Sequence, residues 1–181
     1  MAAVTKVAVW DHAVRLMHWT LVLAVAASWI TTLAFGKLHQ PAGYLALAVV
    51  LLRCAWGFAG GRYARFAQFV RGPGATFAYL RLVLRGRAPR HLGHNPLGGW
   101  MIVALLACVG GLGLSGWLYT TDAFWGDETV DIVHQTLAWA VLVLATLHVA
   151  GVVFTGRHAR ENLVLAMFDG RKAAPGPDDV A

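Results

Sequence analysis

Asp131-Ile-Val-His-Gln-Thr-Leu-Ala-Trp-Ala-Val-Leu-Val-Leu-Ala-Thr-Leu-His-Val-Ala-Gly-Val-Val-Phe-Thr155 is the stretch that decides how the rest of the sequence reads. Its apolar length, about 20 residues between polar ends, suits a helix that crosses a bilayer. Two histidines, His134 and His148, lie within it. Ionisable side chains at such depth are costly and usually functional. Their spacing of 14 residues is roughly 1,400° of helix, about 40° short of four turns, with a rise of ~21 Å. Both imidazoles therefore share one side of the helix, one near each membrane surface. Such a helix can serve two metal centres stacked across the membrane, since neutral imidazole is a common metal ligand. The competing reading is a pair of histidines hydrogen-bonded to neighbouring helices. The choice turns on whether further histidines lie at matching depths.

The whole chain shares this character: of 181 residues 58% are hydrophobic and only 13% charged, far from a soluble average. Four apolar runs of spanning length occur, at about 15–35, 42–60, 96–119 and 132–155. Surrounded by lipid, each must satisfy its backbone internally and so must be helical. The expected fold is all-α: an integral membrane four-helix bundle with short interfacial helices, one domain over residues 8–172 and a disordered tail at 173–181. The first run, ending near Ala34-Phe35-Gly36, resembles a secretory signal but is longer than a signal core and carries His18, so it is kept as a span.

Loop charges orient the bundle. Arg62, Arg65, Arg71, Arg81, Arg85, Arg87 and Arg90 lie between the second and third runs with no acid among them, whereas Asp122, Asp127, Glu128 and Asp131 follow the third run with no base. The positive-inside rule then puts the arginine-rich connection and both termini in the cytoplasm. The net charge of +6 is thus a headgroup-facing surface, with membrane lipid and no nucleic acid as its partner. Cys54 and Cys108 fall inside apolar runs and form no CxxCH, so they read as small packed side chains and not as haem attachment points.

His18 lies about two turns inside the cytoplasmic end of the first run, while His12, beside Asp11, reads as a solvated group. His39 stands at the periplasmic mouth of the second run, where Pro41 suits a first helical turn. Asn95 and Pro96 are placed to cap and start the third helix, with His94 at the cytoplasmic surface. That helix has no histidine but holds Gly98, Gly99, Gly110, Gly111, Gly113 and Gly116. Such residues allow close approach of either a flat cofactor or another helix. Residues 75–87 and 161–168 read as helices lying in the headgroup layer.

Because the first and fourth helices run in opposite directions, His18 and His148 share the cytoplasmic half, and His39 and His134 the periplasmic half. Two pairs at two levels, each drawn from different helices, make the pattern of two bis-histidine haems b in a four-helix bundle. A zinc or copper site would more often gather three or four ligands at one level, and no Cys or carboxylate cluster accompanies either pair.

Several blocks together carry a family likeness: Trp10-Asp11 with Arg15-Leu16-Met17-His18-Trp19, His39-x-x-x-Gly43-Tyr44, Leu52-Arg53-x-x-Trp56-Gly57-Phe58, Arg65-Phe66, Gly93-His94-Asn95-Pro96-Leu97-Gly98, Val133-His134 and Leu147-His148-Val149-Ala150-Gly151. In these the chain resembles the bacterial cytochrome b561 family, which also embraces the b-type cytochrome subunits of nickel-iron hydrogenases. The likeness implies a di-haem b protein of the bacterial inner membrane that exchanges electrons with the quinone pool. Its haem ligands carry over onto His18, His39, His134 and His148. Any redox partner is expected to be a separate polypeptide.

The expected function is transmembrane electron transfer between quinone or quinol and a redox partner. The acidic outer loop suits a basic periplasmic partner, a c-type cytochrome or a dehydrogenase or hydrogenase subunit. The alternatives are a superoxide:quinone oxidoreductase, disfavoured because that loop repels an anion, and a haem-free proton or metal transporter. The quinone is expected at the cytoplasmic interface around Arg15, His94 and Trp100. Arg53 completes the candidate cofactor-binding set. It follows His39 by 14 residues, so it should face the cofactor side level with the cytoplasmic haem and grip a propionate; otherwise it snorkels to lipid phosphate.

Overall fold

The computed structural model describes residues 5–34 and 36–180. Among these, the order is strand β1 (Lys6–Ala8), helices α1 (His12–Ala34), α2 (His39–Ala59), α3 (Phe66–Phe69), α4 (Pro73–Leu84), α5 (Pro96–Tyr119), α6 (Glu128–Ala159) and α7 (Leu163–Asp169), and strand β2 (Arg171–Ala173). Four of the helices, α1, α2, α5 and α6, are long and apolar enough to cross a membrane. The protein is an all-α membrane protein, as its composition implies.

Helix ends follow capping chemistry that hydropathy only approximates. The first helix begins at His12 because Asp11 Oδ1 accepts the Val14 amide at 2.8 Å, and α6 begins at Glu128 because Asp127 Oδ1 accepts the Val130 amide at 2.9 Å. Both starts precede the expected 15 and 132. In α2, which starts at His39, Pro41 falls in the first turn, where amides lack intrahelical acceptors anyway. The span expected at 96–119 coincides with α5, and Asn95 Oδ1 takes the Gly98 amide at 2.8 Å. Phe35, the last residue of the first expected run, and Ala181, the end of the expected tail, lie outside the described residues.

The chain packs as two units, each drawing on parts of all four long helices. One comprises Leu16–Ala55 and Val103–Thr146 and is a four-helix bundle. Its core joins Ala24 of α1, Ala46 and Val50 of α2, Val109 of α5 and Val141 of α6, with Cys54 and Cys108 packed against it. The cysteines are thus the small packing groups expected of them. Lipid is as apolar as these side chains, so close fit rather than exclusion of water holds such helices together. Gly113 shows how close: a Cβ there would lie 2.6 Å from Leu47 Cβ.

The other unit comprises residues up to Arg15, Trp56–Ile102 and those from Leu147 onward. Its core includes Phe69 and Leu92, both buried. Gly99 lies so near α3 that a Cβ would come 2.6 Å from the Phe69 carbonyl oxygen. Here α4 leaves Phe77 and Leu84 exposed while burying Tyr79, the outward apolar side expected of a helix in the headgroup layer.

Described residues of the stretch expected as a tail take part in this unit. Strands β1 and β2 pair antiparallel, Lys6 with Ala173 and Ala8 with Arg171. The amide of Val180 donates to the Arg90 carbonyl at 2.9 Å, and the Arg90 guanidinium bonds Asp179 and reaches Glu161 Oε1 at 2.5 Å. Lys172 is buried, with Nζ 3.3 Å from Glu161 Oε2 and donating to the His91 and Leu92 carbonyls at 2.9 and 3.1 Å. Partners far away in sequence supply these hydrogen bonds. Burial alone would raise the Glu161 carboxyl; Arg90 and Lys172 outweigh it and hold the group below the usual carboxylate range. Burial likewise pushes the Lys172 ammonium down, against the pull of Glu161.

Candidate functional site

Within the four-helix bundle, the short turn after α1 folds α2 back so that His39 Nδ1 lies 2.9 Å from the Ser28 carbonyl and 2.9 Å from Thr32 Oγ1. Thr32 spends its own proton on that same carbonyl, at 2.9 Å. Nδ1 of His39 must then carry the hydrogen, which leaves Nε2 with its lone pair. The same logic fixes His134, the second histidine of the pair. Its Nδ1 lies 3.0 Å from Ser115 Oγ, and Ser115 donates to the Leu112 carbonyl at 3.1 Å. The hydroxyl is therefore an acceptor toward the ring, and Nε2 of His134 is again the basic nitrogen.

The two rings come together, with centres 6.1 Å apart and planes inclined at 70°. A metal at about 2 Å from each of two imidazole nitrogens, with roughly 1 Å more from nitrogen to ring centre, separates the centres by about 6 Å. The pair therefore fits ligation of one iron from two sides. Among the described residues no three of His, Cys, Asp and Glu gather as a self-contained ion site. On α5, a Cβ at Gly116 would lie 3.2 Å from His134 Cε1, whereas Gly110 faces Val50 and Gly111 faces Leu137. The glycines of this helix thus divide between room for a histidine ring and close helix packing.

His18, on α1 in the bundle unit, is half-buried and edge-on to Trp19 at 5.0 Å between ring centres. His148, on α6, is half-buried in the other unit. Arg53 is 6% exposed, which speaks against a side chain spread in lipid. His12 is exposed, while His94 packs between Trp10 and Phe69 at ring-centre distances of 4.5 and 4.9 Å. Arg15 Nη1 donates to the Phe168 carbonyl at 2.6 Å and Trp100 Nε1 to the Arg71 carbonyl at 2.9 Å.

Sequence reasoning missed Ser28, Thr32 and Ser115, the groups that orient the rings. Thr32 had a faint signal, standing seven residues before His39 across a short turn. Nothing in the sequence says that Ser115 faces His134 from another helix. In the first turns of α6, Asp131 accepts from the Gln135 side chain at 2.8 Å; Asp127 caps the helix, and Phe124 and Trp125 before it are exposed.

Two comparisons with known proteins bear on this geometry. A family model described as prokaryotic cytochrome b561 matches residues 9–170. The "Probable Ni/Fe-hydrogenase B-type cytochrome subunit" of Rhodobacter capsulatus is 23% identical over an alignment 218 residues long, gaps included, covering 93% of this chain and 82% of its own. With four helices long and apolar enough to cross a membrane and a family match over nearly its whole length, the chain belongs to the prokaryotic cytochrome b561 family, membrane proteins of electron transfer that carry haem b.

Proposed function

We propose that this protein carries electrons across the bacterial inner membrane through two haems b, between the quinone pool and a periplasmic redox partner. The observation that carries the reading is the His39–His134 pair, 6.1 Å between ring centres and with each Nδ1 hydrogen-bonded. His18 and His148 form the second pair, by their matching depth on helices of opposite direction. Each haem supplies one-electron chemistry when bound. His39 and His134 present Nε2 as ligand atoms, and Ser28 and Ser115 hold the rings in that tautomer and orientation. Arg53, buried in the bundle, supplies a counter-charge to a propionate.

On the outer side, Asp122, Asp127, Glu128 and Asp131 steer a basic partner, and exposed Phe124 and Trp125 give it an apolar contact. A c-type cytochrome or a dehydrogenase or hydrogenase subunit meets that description. The last is the kind of assembly named for the Rhodobacter capsulatus relative. The same acids repel superoxide, which sets electron relay above a superoxide:quinone oxidoreductase.

The deciding experiment counts haem in the purified protein by pyridine haemochrome. Two haems b per chain are expected, both low-spin with two imidazole ligands. His39→Ala or His134→Ala should remove mainly one of them, and His18→Ala or His148→Ala the other. One haem in the unaltered chain would overturn the two-pair assignment, and none would point to a transporter.

A further inference from the structure

A cavity of about 640 Å³ opens in the unit that holds both chain ends, where α1 begins and α2 has ended. Lys6, Arg15, Arg62 and Arg171 line it, against two carboxylates, Asp11 and Asp169. Both carboxylates are engaged. Asp11 accepts the Val14 amide at 2.8 Å and the Trp56 indole N–H at 3.1 Å. Asp169 accepts from Lys6 Nζ at 3.2 Å and from the Arg171 amide at 2.8 Å. Among the described residues, no ion pair engages Arg15, Arg62 or Arg171. Arg15 Nε is buried without an acceptor, and Arg62 rests 5.4 Å from the centre of the Tyr63 ring.

The walls are held by backbone rather than by side chains alone. Gly170 adopts φ +77°, and a Cβ there would lie 2.6 Å from the Trp10 carbonyl oxygen. Its own carbonyl accepts the Val9 and Trp10 amides at 2.9 and 3.1 Å. The cations are therefore mounted on a pinned frame, which lowers the ordering cost of binding an anion. Depth decides which anion can reach them. The apolar span of α1 starts at His12 and that of α2 stops at Ala59, so residues 10–15 and 61–63 stand where the helices leave hydrocarbon for the phosphate layer.

We propose that this cavity binds the phosphate of an anionic phospholipid headgroup, with Arg15, Arg62 and Arg171 as its ligands. Phosphate offers the charge and the several acceptor oxygens that guanidinium groups match. At this depth it arrives on a lipid. None of His18, His39, His134 and His148 lines the cavity.

Native mass spectrometry of the full chain in neutral detergent tests it, with phosphatidylglycerol, phosphatidylcholine and inorganic phosphate as probes at equal ionic strength. Phosphatidylglycerol should bind and phosphatidylcholine should not. Arg62→Gln and Arg171→Gln, both at exposed positions, should each weaken phosphatidylglycerol binding about fivefold, and roughly twentyfold together. Arg81→Gln with Arg85→Gln, outside the cavity, should leave it unchanged, and circular dichroism should show every variant folded. Inorganic phosphate binding as tightly, with the same dependence on Arg62 and Arg171, would support the phosphate site and assign it to the soluble ion. Equal binding of both lipids, full retention by the Arg62→Gln/Arg171→Gln variant, or an equal loss in the Arg81→Gln/Arg85→Gln control would overturn the proposal.

Discussion

Ser115 Oγ stands 3.0 Å from His134 Nδ1 while giving its own proton to the Leu112 carbonyl, so the ring is held from α5 by a hydroxyl that can only accept. Such a bond makes the opposite nitrogen a stronger base and fixes its direction. Ser115→Ala removes the acceptor at a buried position with little change of volume. The protein should still fold, while a haem held by His39 and His134 as proposed should be retained about tenfold less tightly and its midpoint potential should rise. Haem retained per chain after detergent washing, with a redox titration, measures both. Unchanged occupancy and potential would reduce Ser115 to a packing group.

Arg53 invites a charge test. Its side chain is buried, and the proposed assignment gives it an anion as counter-charge. If that anion is a haem propionate, Arg53→Leu removes the positive charge that disfavours the ferric form, and one of the two midpoint potentials should fall. Arg53→Lys should restore part of the loss, because the charge survives but the fork does not. A Leu variant with full haem content and both potentials unmoved would remove Arg53 from the cofactor.

The clamp on the tail should respond to acid. The Glu161 carboxyl is held below its usual range by Arg90 and Lys172 against the opposing effect of burial. The amide of Gly176 and then Arg90 hold Asp179 down, again against burial. Groups with lowered folded values stabilise fully above the ordinary carboxylate pKa of about 4, and the stabilisation disappears as pH falls through the lowered values. Residues 171–180 should exchange amide hydrogens slowly at neutral pH and rapidly near pH 3, after correction for intrinsic rates. Glu161→Gln should lose about tenfold of that protection at neutral pH. Protection independent of both pH and Glu161 would show that strand pairing alone holds the tail.

Orientation can be read with reporters. A tag within Asp122–Glu128 should be cut by protease added to spheroplasts, and a reporter fused after Ala181 should behave as cytoplasmic. Fusion directly after Lys172 is a poorer choice, since Lys172 is buried in the clamp. Protection of the outer tag, with a control loop cleaved, would reverse the assignment.

How much of this was legible depended on the range of the interaction. The four spans announced themselves through apolar length, and the Asn95 cap through a local pattern, because both are decided by neighbours in sequence. The nearness of His39 and His134 followed from depth alone, since opposed helices in a bilayer share a coordinate. What stayed hidden was rotation about each helix axis: nothing local tells Ser115 that it will meet His134. The clamp was hidden more deeply, because Arg90, Glu161, Lys172 and Asp179 are polar residues in short connections, and a solvated surface explains them equally well until the chain closes on itself.

The pairing of β1 with β2 has a consequence for biogenesis. Lys6 meets Asp169 across 163 positions of chain, so one partner is made before the four long helices and the other only after them. The end of the protein that holds this strand pair cannot be finished during insertion. A chain halted before residue 161 holds β1 without its partner strand and Arg90 without Glu161.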